Sequence, residues 1–225
     1  MTKKIQSVFS CPQGGSADLE EAILQIRGPR PTHTATAREI LGAAIALVEE
    51  VGAENFSARK VADRSGLKLA SVQYYFPTRA ALVRAMIEQW IDDYHDRLLA
   101  LLADQSEDPA AAMTGYLDFL MTESLALRGR AFWNYVWSLA DLDAEVSAAL
   151  DQFMALYRSL FAMLIRRLNP ALSELQSVRL AAALSSMIDG MGTVIGEGRH
   201  VASDLIGLDA MVKSLAYRIM CEKPV

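Results

Sequence analysis

Two serine–lysine pairs, Ser57-x-x-Lys60 and Ser65-x-x-Lys68, have the spacing of an acylating serine and its lysine. Such an enzyme also needs a Lys-Thr-Gly partner, and none occurs in the chain. His33, His95 and His200 are scattered and lack ligand spacing, so exposed or singly bonded imidazoles are expected. Gly190, Gly192, Gly196 and Gly198 follow no strand, so they are not a dinucleotide fingerprint. Helix packing and helix termination account for them. Cys11 and Cys221 lie near opposite ends without metal-ligand spacing, which suits two reduced thiols. The expectation is no catalytic residue, no metal and no cofactor.

The chemistry that does stand out is electrostatic. Between Ser57 and Arg84 lie Arg59, Lys60, Arg64, Lys68, Arg79 and Arg84 against Asp63 alone, in a chain of net charge −5. Residues 89–225 carry 11 basic and 18 acidic side chains. A local basic face on an acidic chain is the footprint of a phosphate-backbone partner.

The same stretch, SARKVADRSGLKLASVQYYFPTR over 57–79, has the punctuation to position that charge. Ser57 is a good N-cap for a short helix running to Arg64. Gly66 supplies a left-handed residue where that helix must stop. A second short helix is expected from Leu69 to Tyr75. Val61, Leu67 and Val72 are spaced to fill the corner, and Ala62 is small enough for close approach. That is a helix-turn-helix, whose second helix can enter a major groove.

The elements around it are helical too. Alanine and leucine abound, β-branched runs are scarce, and no strand alternation appears, so the fold class is all-α. A first helix over 35–51, capped by Thr34 or Thr36, presents Ile40, Ala44, Leu47, Val48 and Val51 as the back wall of the corner. Thr78 caps a long helix over 79–102. Further helices are expected over 109–127, 130–139, 143–168, 173–196 and 203–221, with breaks at Gly129, Asp141-Leu142-Asp143, Asn169-Pro170 and Gly196–Ser203. Residues 1–32 read as an arm, with an amphipathic segment over 17–26 and with Lys3 and Lys4 near its start. The N-terminus lacks a secretory h-region, and no run approaches the ~20 apolar residues of a membrane span, so a cytoplasmic protein is expected.

From Gly52 through Leu82 the residues resemble the TetR family of transcriptional repressors. The matching positions are Gly52, Ser57, Val61-Ala62, Ser65-Gly66-Leu67, Tyr75-Phe76, Pro77-Thr78-Arg79 and Leu82. Lys68 departs from the family's usual Ser or Thr, Gln73 from its usual Tyr and Arg79 from its Lys. The resemblance implies a helix-turn-helix DNA-binding domain over 33–80, joined by the long helix to a helical ligand-binding and dimerisation domain over 81–225. Leu69, Ala70, Ser71 and Gln73 would then face base edges. Ser57, Lys68, Tyr74, Tyr75, Thr78 and Arg79 would hold phosphates of a pseudo-palindromic operator. The last two helices, about 173–196 and 203–221, would pair with a second copy as a homodimer. The first carries Ala181, Ala182, Ala183, Ser185, Ser186, Gly190 and Gly192, small residues that permit close helix approach, and the second carries apolar residues such as Leu205, Met211 and Ile219.

The resemblance also implies a small-molecule effector among the middle helices, where aromatics and methionines concentrate. The candidate ligand residues are Tyr116, Phe119, Trp133, Trp137, Tyr157, Phe161, Met187 and Asp189. Asp189, in the apolar stretch SSMIDGMG, is costly to bury unless paired or ligand-facing, and a place at the dimer seam is equally open. Phe132-Trp133, Trp137 and Ile188-Asp189-Gly190 also look like the body of choline-responsive repressors of betaine synthesis. Aromatics plus an acid suit a quaternary ammonium. The function expected is a repressor released from its operator by a largely apolar or aromatic-cage-bound effector. The alternative is a small-molecule-binding or interaction protein on the same fold that does not use DNA.

Overall fold

The computed structural model describes residues 21, 24, 32–52, 56–102 and 108–222. The arm expected over 1–32 lies outside these, apart from helical Glu21 and Leu24 and irregular Thr32. Every regular element among the described residues is helical, and the chain is all-α.

Helix α1 spans Ala35–Val51; Thr34 Oγ1 accepts from the Ala37 N–H at 3.2 Å, so Thr34 rather than Thr36 is the cap. Its buried face carries Ile40, Leu41, Ala44, Leu47 and Val48. Helices α2, Ala58–Ser65, and α3, Leu69–Tyr75, form the corner. Ser57 caps α2 through the Lys60 N–H, and Gly66 ends it at φ +70° with its N–H bonded back to Ala62 and Asp63. Val61, Ala62 and Val72 are buried in the corner, while Leu67 is only half-buried. Each buried Val or Leu side chain contributes about 1.5–3 kcal/mol. Helix α4, Arg79–Leu102, starts on Thr78, whose Oγ1 accepts from the Ala81 N–H at 3.0 Å.

The later helices are α5 Pro109–Leu125, α6 Leu127–Ala140, α7 Ala144–Leu168, α8 Glu174–Ile195 and α9 Leu208–Cys221. Asp143 caps α7, and a reciprocal Ser173–Gln176 capping box opens α8. The break expected at Gly129 falls instead at Ala126, which is extended at ψ 132°. The reason is tertiary: the Glu197 N–H donates to the Leu125 carbonyl at 2.8 Å, satisfying a helix-end acceptor there. Gly129 is buried inside α6. The last helix also starts later than 203. Ser203–Leu205 is a single 3-10 turn, and Gly207, at φ +84°, precedes α9.

Contacts group the described residues into two compact units. One comprises Pro29–Asp93 and Leu127–Met154; the other includes Tyr94–Ala126 and Ala155–Val225. Helices α4 and α7 contribute residues to both. The first unit thus combines the helix-turn-helix with α6 and the start of α7. In the second, α5, α7, α8 and α9 bury Tyr116, Leu120, Phe161, Ile165, Leu184, Ile188 and Ala216. Contrary to the expectation of no span-length run, α7 and α8 are long and apolar enough to cross a membrane by length and composition alone. Core helices rich in Ala, Leu and Met pass the same test, and 56% of the α7 window is buried inside the protein.

Candidate functional site

The candidate reading surface begins with α3. Lys68, Ala70, Gln73 and Tyr74 are exposed, Leu69, Ser71 and Tyr75 are half-buried, and Tyr74 is 82% exposed. A phenol this bare contributes nothing to a core and stands available to a partner. Tyr75 supports it edge-on, with centroids 5.3 Å apart and planes at 86°. Lys68 occupies the N-cap of α3 without a side-chain cap bond. Ser57 and Thr78 each accept from their own helix's N–H, which leaves both hydroxyl protons to donate elsewhere.

The six positive charges of this stretch are not equally free. Arg64 is gripped by Glu50 at 2.6 and 2.7 Å, and that bond holds the Glu50 carboxyl below the usual range. Arg84 lies 3.9 Å from Glu88. Arg79 donates from Nε to the Tyr135 hydroxyl at 3.0 Å, and its Cζ lies 5.3 Å from the Tyr135 centroid and 6.0 Å from that of Phe56. The basic face is therefore narrower than its charge count suggests.

The second unit holds a different arrangement. Tyr94, Tyr116 and Tyr157 are all buried, and the Tyr94 and Tyr116 hydroxyls lie 3.2 Å apart. Tyr157 donates to Asp189. Burial holds all three phenols neutral, pushed above their usual range. Asp189 keeps solvent access, yet surrounding protein pushes its carboxyl up to about 6 by desolvation, with the Tyr157 bond pulling the other way. Ser124 Oγ donates to the Ile188 carbonyl at 2.7 Å and so fixes α5 against α8 beside it. Phe119 meets Tyr94 at 5.0 Å and carries the Arg97 guanidinium 5.5 Å from its centroid. Glu123 holds that guanidinium at 2.5 and 2.8 Å. A solvent-accessible carboxylate bonded to a neutral phenol can hold a cation.

Residues 40–86 match the family model of bacterial regulatory proteins, tetR family, which covers the helix-turn-helix just described. That segment is similar to the DNA-binding domain of TetR-family transcriptional regulators. A relative in Xanthobacter autotrophicus, an uncharacterized HTH-type transcriptional regulator in the dhlA 5′ region, is 28% identical over 157 residues. The match covers 67% of this chain and 74% of the relative. The HTH-type transcriptional regulator BetI of Stenotrophomonas maltophilia is 24% identical, over 70% of this chain and 81% of its own. The fold is shared with a transcriptional regulator of Saccharomonospora viridis crystallised in complex with choline. Its TM-score is 0.65 at 22% identity, covering 84% of this chain and 96% of that one.

The expected DNA-facing residues fall on α3, on the caps Ser57, Lys68 and Thr78, and, for Arg79, at the first position of α4. Of the expected ligand residues, Tyr116, Phe119, Tyr157, Phe161, Met187 and Asp189 share one unit. Tyr116 and Phe161 meet edge-on at 5.3 Å, fully buried. Trp133 and Trp137 belong to the other unit. Trp133 stacks on Phe153 at 4.4 Å and meets Trp90 at 5.9 Å, while Trp137 stands 48% exposed on α6. Sequence reasoning missed Tyr94 as a site residue. Its signal was available: a tyrosine on the inner face of a helix must find its hydroxyl a partner.

Proposed function

We propose that this chain is a TetR-type dimeric repressor that leaves its operator when a small organic cation of the choline class binds at Asp189. The observation that carries the reading is Asp189 itself: solvent-accessible, desolvated, and bonded to Tyr157 among buried tyrosines. The choline bound by the structural relative from Saccharomonospora viridis supports the ligand class. Ligand residues are Tyr116, Tyr157 and Asp189, with Phe119, Phe161 and Met187 behind them. Trp133 and Trp137 are not assigned to this site.

Residues 33–80 serve as the reading head and 81–225 as the effector and dimer body, with 1–32 an arm. Leu69, Ala70, Ser71 and Gln73 read bases, while Ser57, Lys68, Tyr74, Tyr75, Thr78 and Arg79 hold phosphates, in the cytoplasm where the DNA is. Exposed Val194 on α8, Ile206 before α9 and Met211 on α9 support a two-fold dimer through these elements. Such a dimer presents two heads to half-sites roughly 34–36 Å apart. Effector binding favours a state in which that spacing is lost.

The test is calorimetric titration of choline into the protein, followed by fluorescence anisotropy on a duplex selected from a random pool. Choline is expected to bind and to weaken DNA affinity roughly tenfold, within the usual range of allosteric coupling. Binding without any change in DNA affinity would refute the switch.

A further inference from the structure

We infer that Tyr135 and Phe56 are positioning residues for operator binding: they hold Arg79 by its Nε edge and leave its two terminal nitrogens to grip one phosphate. The inference rests on the reading of Arg79 as a phosphate contact, and it adds a residue of α6 to the DNA-binding machinery.

A guanidinium has two usable edges. The side edge carries Nε and one terminal nitrogen; the end edge carries both terminal nitrogens and matches a phosphate bidentately. In this protein Nε is spent on the Tyr135 hydroxyl at 3.0 Å. Among the described residues no ion pair or other hydrogen bond engages the guanidinium, so the end edge remains open. The aromatic seat is rigid. Tyr135 is 1% exposed and Phe56 8%, and their rings meet at 5.1 Å with a 55° tilt. Arg79 itself is exposed, as a phosphate ligand must be.

An unrestrained arginine loses rotamer freedom when it binds, and a pre-seated one has lost part of it on folding. Thr78 fixes the backbone at the same point by capping α4 one residue earlier. The arrangement also gives the Arg79 departure from the family pattern a physical purpose. A lysine ammonium is a single point and has no second, rigidly oriented edge to offer while bonded to Tyr135.

The test is a double-mutant cycle on DNA affinity, read by anisotropy across a salt series with a selected duplex of about three helical turns. Tyr135→Phe keeps the ring and deletes only the acceptor oxygen. It is expected to weaken binding about fivefold without changing the salt slope, because the charge stays. Arg79→Ala is expected to weaken binding more and to lower the slope by about one phosphate contact. In the Arg79→Ala background, Tyr135→Phe should then do nothing.

Equal losses from Tyr135→Phe in both backgrounds would overturn the positioning role, as would tighter binding by the single variant. An unchanged slope in Arg79→Ala would remove the phosphate contact and this inference together, which separates the two failures. Arg79→Lys gives a second reading: affinity falls, the slope holds, and Tyr135→Phe is silent in that background. Thermal unfolding of each variant confirms that the fold is intact.

Discussion

Replacing Asp189 by asparagine keeps the shape of the side chain and removes its charge. A cation about 4 Å from a carboxylate gains ~4 kcal/mol at an effective dielectric near 20. Asp189 is solvent-accessible, and screening at least halves that figure. The expected loss is ~2 kcal/mol, about thirtyfold in choline affinity at pH 7. The pH profile sharpens the expectation. With its carboxyl at about 6, Asp189 is about nine-tenths ionised at pH 7 and one-tenth at pH 5. Choline affinity of the wild type should fall about tenfold between those pH values, and the variant should show no slope. Stability moves the other way. The native carboxyl holds its proton to higher pH than the unfolded one, so the native state binds more protons between about pH 4 and 6, and the wild type loses stability as pH rises through that window. Asp189→Asn cannot titrate and should gain on the wild type across it by roughly 1 kcal/mol after allowance for screening. Calorimetry at pH 5, 6 and 7 and melting curves at pH 4 and 7 read the two effects. A variant that binds choline as the wild type does, with the same pH slope, would remove Asp189 from the site.

Two further substitutions test the local fold. Gly66→Ala meets no atom within 4 Å, so its cost is the left-handed backbone alone, about 1 kcal/mol, visible as a lower melting temperature. Ser173→Ala removes one half of the capping box on α8 and should cost about 1 kcal/mol in denaturant unfolding.

The elements legible in the sequence are those set by local signals. Ser57, Gly66 and Thr78 cap or stop helices where their side chains and backbone freedom require, and α3 has the bounds expected of it. Boundaries decided by distant contacts were not legible. Nothing near Ala126 announces that Glu197 will bond to Leu125, and a helix-interior glycine looks like a stop until its burial is known. The phosphate candidates could be named from motif spacing, but not that Glu50 neutralises Arg64 or that Tyr135 holds Arg79. Among the ligand candidates, composition treated all aromatics alike. Only packing separates Trp133, stacked on Phe153, from Tyr157, bonded to Asp189.

The placement of the tryptophans has a practical outcome. The chain has three, Trp90, Trp133 and Trp137, and all belong to the unit that contains the helix-turn-helix. Trp90 and Trp133 meet edge-on at 5.9 Å, whereas Trp137 is half in solvent. The unit that contains Asp189 has tyrosines but no indole. Excitation selective for indole therefore sees one unit and is blind to the other. A change in that emission when an effector binds at Asp189 would be a label-free optical record of one unit responding to the other, with Trp137→Phe separating the solvent-exposed emitter from the stacked ones.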